Sequence, residues 1–548
     1  MTDASGRSFE AEPLKGGEID GVVSKEKGCA GKLGLSHLLA WRTAAFLFSL
    51  FLCLAVVFAF SFILPCPVRP QYLSTWNTTI PAAATYDFLA FEDANEDKVL
   101  DVFFMYKGFE ASRNTCMSAD LSPPCLVLTA VDGTKGQTLW ELPLVPEFDW
   151  VECGVKGIGQ KGPGCLVAHA DNLTAVDRKN GLIMWQQPRA TVMNANLPLI
   201  SVPDLNADGA EDFAVLSYDP EATLLTPVPT ELVFFSGKSG DPIGSRVDVD
   251  VNGVFAHLQF HTSTGAPYLL LLTDSGLYAV SMQRLVVRVT AGSKSVMKKD
   301  NNWEKKADRN TGFIPLYHSD SLKRVMVVRG GSAQALLVQT GSSVSLLHTE
   351  KLEILWSTNT SNLLSVPTFG HFNKDGILDI MVEDDLGNET KTVMVLDGKT
   401  GEVLWQISLL SWTPSPRPAS VFTLNSISVF IIWGQSDNNQ TMYSSFLLHP
   451  RFPKLLLERR NPVQNIISFK ATLLERGRHA SYFILTGPDG RQHTEPTGTD
   501  PVILTKRKIK DDVPESEARS VIADEHISDT EDSVKEAFYR LRFSDDLY

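Results

Sequence analysis

Val202-Pro-Asp-Leu-Asn-Ala-Asp-Gly-Ala-Glu-Asp212 sets Asp204, Asn206 and Asp208 at alternate positions of a tight turn and closes it with Asp212 at the ninth. Oxygens so spaced converge on one hard cation, and Ca²⁺ takes oxygens of this kind. The arrangement recurs as Asp93, Asn95, Asp97 and Asp101, and as His371, Asn373, Asp375 and Asp379. The starts, at 93, 204 and 371, are two and then three multiples of roughly 55–56 residues apart, a period that marks a repeat architecture.

A strand follows each loop, and then a hairpin built on a glycine turn: Val131-Asp-Gly-Thr-Lys-Gly136, Phe235-Ser-Gly-Lys-Ser-Gly240 and Leu396-Asp-Gly-Lys-Thr-Gly401. Trp140 and Trp405 stand on the strand after two of them. The hairpin recurs without the loop at Ala175-Val-Asp-Arg-Lys-Asn-Gly-Leu-Ile-Met-Trp185, and in worn form near Ala279, Leu346 and Phe446. Seven hairpins at intervals of roughly 45–67 residues suit four-stranded blades closed in a ring, which leaves few bare strand edges. The chain therefore reads as an all-β propeller of seven blades. Eight stays open, because Tyr482-Phe-Ile-Leu-Thr-Gly-Pro-Asp-Gly490 could start another blade or complete the first.

The loop phrases resemble the FG-GAP repeats of integrin alpha chains, and Asp397-Gly-Lys-Thr-Gly-Glu-Val-Leu-Trp405 is similar to the repeat of quinoprotein-type propellers. With the apolar anchor described next, the whole chain resembles the integrin alpha FG-GAP repeat-containing family, also called family with sequence similarity 234. The resemblance implies a single-pass cell-surface glycoprotein with no assigned catalysis. The integrin insertion domain and its metal-dependent adhesion motif have no counterpart, so integrin-style ligand binding does not carry over.

Ala44–Leu64 is an almost unbroken apolar run, long enough at ~1.5 Å per residue to cross a ~30 Å hydrocarbon core. Pro65 and Pro67 stop it. More than forty residues precede it and no small-residue cleavage site follows, so it reads as a signal anchor. Lys25, Lys27, Lys32 and Arg42 lie before the run and Arg69 alone close after it, which keeps the N-terminus cytosolic. The five glycosylation sequons, at Asn77, Asn172, Asn359, Asn388 and Asn439, all lie beyond it. The expected layout is a disordered cytosolic tail (1–43), the anchor (44–64), a stalk (65–85), an extracellular propeller (86–505) and an acidic C-terminal tail (506–548). The formal charge of −14 argues against a nucleic-acid surface, and residues 511–548 supply −8 of it.

Among three connectivities for four cysteines, Cys116 with Cys125 and Cys153 with Cys165 is the local pairing expected in an oxidising compartment. Cys66 is left over, either an idle thiol or a link between two chains. In the tail, Val534, Phe538 and Leu541 share one helical face, with Asp529 or Thr530 as cap, in competition with disorder. Trp303, among the charges of residues 298–309, reads as a solvated insertion or an exposed interface anchor.

For the metal, Asp204, Asn206, Asp208 and Asp212 form the fullest set, with Gly209 easing the turn. Asp93, Asn95, Asp97 and Asp101 keep four oxygens but carry Lys98 where glycine is preferred, and His371 leaves only Asn373, Asp375 and Asp379. The competing reading is a chain of Asx turns in which these side chains cap their own backbone. Gly157-Ile-Gly-Gln-Lys-Gly162 matches a dinucleotide pattern without its strand-turn-helix context, and Val393 stands where a P-loop would start with glycine. No catalytic motif or organic cofactor is expected. The expected function is a non-enzymatic, Ca²⁺-stabilised binding module at the plasma membrane, either a receptor for an unknown protein or a chaperone-like accessory subunit. A membrane-tethered quinoprotein-like enzyme is the alternative.

Overall fold

A computed structural model describes residues 35–63 and 75–544, except 109–111, 160–161, 189–194, 219–229, 290–296, 330–333, 412–414, 436–442, 462–464, 475–478, 492–499 and 523–528. Tyr72 onward forms one compact unit and the N-terminal segment through Gln71 another. The N-terminal unit contains a single described helix, Leu35–Ile63, within which Trp41–Ala59 is apolar and long enough to cross a membrane. The expected disordered tail, Cys66 and Asn439 lie outside the described residues.

The second unit is built from eight antiparallel sheets. Short β-branched and aromatic strands separated by glycine turns favour this pleated pairing. Blades 1 to 6 run over 83–144, 148–188, 195–248, 254–318, 322–359 and 368–410. Blade 7 (419–461) gains a fifth strand, Glu517–Ser520, which pairs with Leu455–Asn461. Blade 8 takes Ile466–Leu473, Ala480–Thr486 and Val502–Lys508, and its outermost strand is Trp76–Ile80 from the other end of the chain. The ring is therefore an eight-bladed β-propeller, closed by a strand from the region expected to be stalk. That segment carries a sequon and no alternating pattern of its own, and its partner lies more than four hundred residues away.

Burial follows the seams between blades. Eight apolar clusters occupy the structure, each drawing on two successive blades, and one joins Phe483 and Leu504 of blade 8 to Val102 and Phe104 of blade 1. Tryptophans lock six of these seams. The indole N–H of Trp76, Trp140, Trp185, Trp303, Trp356 and Trp405 donates to the backbone carbonyl of Gly133, Arg178, Gly237, Thr349, Gly398 and Pro453, each in the next blade. The indoles of Trp76, Trp140, Trp185 and Trp356 also lie where a side chain at the turn glycine would be, 2.4–2.6 Å from an ideal Cβ at Gly136, Gly181, Gly240 and Gly401. Trp303 corrects both expectations for residues 298–309, since it is 1% exposed and stacks on Phe260. The surrounding lysines hid a blade tryptophan that had moved onto the short helix Asn301–Glu304.

The C-terminal tail is likewise structural. Thr530 caps Glu531–Arg540 through a reciprocal capping box with Ser533, and Val534, Phe538 and Leu541 are buried in the cluster between blades 7 and 8. Arg459 and Arg507 pair with the buried Asp512 of the preceding helix. Cys116 is bonded to Cys125 and Cys153 to Cys165, and Cys53 is free. The glycine-rich phrase at 157–162 lies across the ends of two paired strands, Phe148–Gly159 and Gly162–His169.

Candidate metal centre

Each Asp/Asn loop joins the first strand of its blade to the second, and the ninth-position aspartate opens that second strand. Asp101, Asp212 and Asp379 are at most 1% exposed. Their role is a clasp. One oxygen of Asp212 accepts the Leu205 N–H at 2.6 Å, within the loop, and the other accepts the Gly237 N–H at 3.2 Å, in the hairpin. Asp101 takes Ala94, Asn95 and Gly133, and Asp379 takes Phe372, Asn373 and Gly398.

The hairpin glycine serving each clasp was not singled out from sequence. A Cβ there would fall about 2 Å from the carbonyl oxygen of Leu100, Glu211 or Leu378 (2.0, 2.2 and 2.0 Å). Only glycine lets the two turns approach so closely. The signal available was the invariant spacing of Gly133, Gly237 and Gly398, three residues before the glycine that ends each turn.

Burial opposes charge on the clasping carboxylates. It pushes Asp101 up to about 6 and raises Asp212 and Asp379 as well, against the downward pull of the backbone N–H donors. Asp208, near the surface, is held below the ordinary carboxylate range first by the Ser236 hydroxyl and then by Asn206.

The loops then diverge. Ligand atoms of Asp204, Asp208 and Asp212 all lie within 4.8 Å of one another, and among the described residues no other three His, Cys, Asp or Glu side chains do so. Asx hydrogen bonds shape the turn: Asp204 accepts Asp208 and Gly209 N–H, Asn206 accepts Asp208 N–H, and Asp208 accepts Ala210 N–H. Each carboxylate oxygen has further lone pairs to offer, so these bonds and a cation are compatible. In the loop at 93 one oxygen of Asp93 is buried with no hydrogen-bond partner. Lys98 sits there at φ 69°, with its N–H on Asp93.

In blade 6 the His371 ring donates from Nδ1 to the Ile377 carbonyl at 3.0 Å, at the loop's seventh position. Asn373 turns its amide to Asp397 of the hairpin, 2.8 Å away. The imidazole thus occupies the backbone oxygen that a calcium loop turns on its ion.

A family model described as the FAM234A/B beta-propeller matches residues 76–544. Those limits coincide with the ring, from its closing strand to the end of the docked tail. The chain belongs to the FAM234A/B β-propeller family. Protein FAM234A of Rattus norvegicus is 34% identical, with 100% of both chains covered, and that of Homo sapiens is 34% identical over 99% of each. Protein FAM234B of Mus musculus is 26% identical over 86% of this chain and 79% of its own. These matches carry the FAM234 half of the resemblance drawn from the sequence, and the integrin FG-GAP name is not among them. The propeller matched in this FAM234 chain contains the clasps and the blade tryptophans alike.

Proposed function

We propose that the chain is a type II single-pass membrane glycoprotein whose extracellular propeller is a Ca²⁺-stabilised, non-enzymatic module for binding protein. The observation that carries this reading is the commitment of the loop carboxylates: they bind backbone across a blade and converge on one cation-sized site. An ion in the 204 loop would be held by Asp204, Asn206, Asp208 and Asp212. It would neutralise three crowded carboxylates and stiffen the blade, which is a structural task. The loop at 93 is the second candidate, through Asp93, Asn95, Asp97 and Asp101. FG-GAP-like loops of this kind, one per occupied blade, support a scaffold rather than a reaction.

The sequons support the topology. Asn77, Asn359 and Asn388 are exposed and Asn172 half-buried, so most are open to a glycosyltransferase on the folded ring. The test is a C-terminal epitope tag on intact cells, combined with peptide-N-glycosidase digestion. Antibody access without permeabilisation and a mobility shift on digestion are expected. A tag reached only after permeabilisation, with no shift, would overturn the topology.

A further inference from the structure

The inner strands of blades 5, 6, 7, 8 and 1 surround two cavities of ≈500 and ≈750 Å³ at the centre of the ring, the larger also reaching blade 2. Both are within the size range of small-molecule sites. They share Val366, Arg417, Phe469 and Lys470, so the two cavities are neighbours.

Their charge is sorted. Arg329, Arg417 and Lys470 line the smaller cavity with no carboxylate, against walls that include Phe369, Phe422 and Phe469. The larger adds Arg324 and Arg491, together with Asp87, Glu152 and Asp489. Glu152 accepts the Leu199 N–H and Asp489 the N–H of Arg491, a neighbour in the same lining, so the carboxylates belong to the larger cavity alone. Arg329 and Arg417 make no salt bridge or hydrogen bond among the described residues. Lys470 points its ammonium at the Leu89 carbonyl. Burial lowers both Arg324 and Lys470, and the Arg417 guanidinium lowers each further, while Asp87 pulls Lys470 back up. Like charges thus gather around this space inside a protein whose net charge is −14, with the arginines exposed to it and Lys470 half-buried. An anion there would relieve the repulsion and accept charge-assisted hydrogen bonds.

We propose that the smaller cavity is a binding site for a small organic carboxylate with an apolar body. The carboxylate sits between Arg417 and Lys470, where a guanidinium can hold both oxygens, and the body lies against Phe369, Phe422 and Phe469. This site borders the blade 6 loop through Leu378 and Phe422 but uses none of its oxygen side chains, and it does not rest on the proposed protein-binding role.

The test is calorimetric titration of the full chain in lipid discs, with empty discs as blank, using 4-phenylbutyrate, its neutral amide and inorganic phosphate. Saturable one-to-one binding of 4-phenylbutyrate is expected, with the amide and phosphate each weaker by about tenfold or more. Arg417→Gln should weaken 4-phenylbutyrate about tenfold without lowering the melting temperature, because the guanidinium holds no partner among the described residues and its charge opposes Arg324 and Lys470. Arg329→Gln should weaken it in the same direction. No saturable binding of 4-phenylbutyrate would overturn the proposal. So would equal affinity for the amide or for phosphate, or an Arg417→Gln protein that binds as the wild type does.

Discussion

In blade 3, three carboxylates of one loop lie within 4.8 Å of one another and keep lone pairs free for an ion. In blade 6, His371 fills the first position and its ring N–H binds the Ile377 carbonyl. Around these differing centres the clasp is the same: Asp212 and Asp379 each join loop to hairpin through backbone N–H groups. Clasp and cation are therefore separable. The ninth aspartate joins loop to hairpin in both blades, and under the proposed calcium reading the first residue would decide whether the turn is completed by an ion or by the protein itself.

The largest expected effect breaks the shared part. Asp379→Ala and Asp212→Ala each strand one buried and one or two part-buried N–H groups, so each should cost about 3 kcal/mol in chemical denaturation. The cost should be similar in the two blades and present in calcium-free buffer. A loss at Asp379 much smaller than that at Asp212 would tie the clasp to the metal.

His371→Asp exchanges one solution for the other. Without calcium it should be less stable by about 1 kcal/mol, the worth of one hydrogen bond. With calcium it should recover, in a blade that showed no calcium response before. Differential scanning with and without a chelator reads both halves. A variant that stays calcium-indifferent would show that Asn373, held by Asp397, closes the loop against an ion even when the first ligand is restored.

A smaller effect comes from the ground facing the blade 6 loop. His449, buried in the adjacent hairpin of blade 7, is pushed down to about 4, mainly by burial and further by Arg451 and Lys374. His257, which binds the Pro198 carbonyl at 2.7 Å, is pushed down to about 4 by burial. In both the folded state resists the proton. The stability they contribute is complete above the unfolded-state value near 6.5 and is lost as pH falls through that value toward about 4. At pH 6 the loss should be under about 1 kcal/mol for each imidazole. His449→Gln should flatten its share of the pH profile, and an unchanged profile would remove His449 from the account.

Much of the ring was legible because its signals are local. Seven hairpins announce seven blades through glycine turns and tryptophan strands, and the capped face of Val534 and Phe538 marked a helix in competition with disorder, without saying where it would dock. The eighth blade was hard to read because its strands come from the two ends of the chain. Trp76–Ile80 is too short to show a period, and only closure pairs it with Val502–Lys508. Trp303 was masked by its charged neighbours, and the fifth strand of blade 7 lay in a tail whose acidity suggested solvent. At the loops, the sequence told which side chains carry oxygens. It did not tell that Gly133, Gly237 and Gly398 donate to the ninth aspartate, nor that an imidazole would take the Ile377 carbonyl, since both depend on contacts between turns.

A calcium titration of the metal-free full-length protein in lipid discs, read as a shift in Tm, is the most direct test of the proposed centre. The wild type should rise, gaining about 2.7 kcal/mol at a hundredfold excess over Kd. Asp208→Asn should lose most of that rise, and Asp375→Asn should keep it. A wild type indifferent to calcium, or an Asp375→Asn protein that loses the shift as fully as Asp208→Asn, would contradict the separation of clasp from cation.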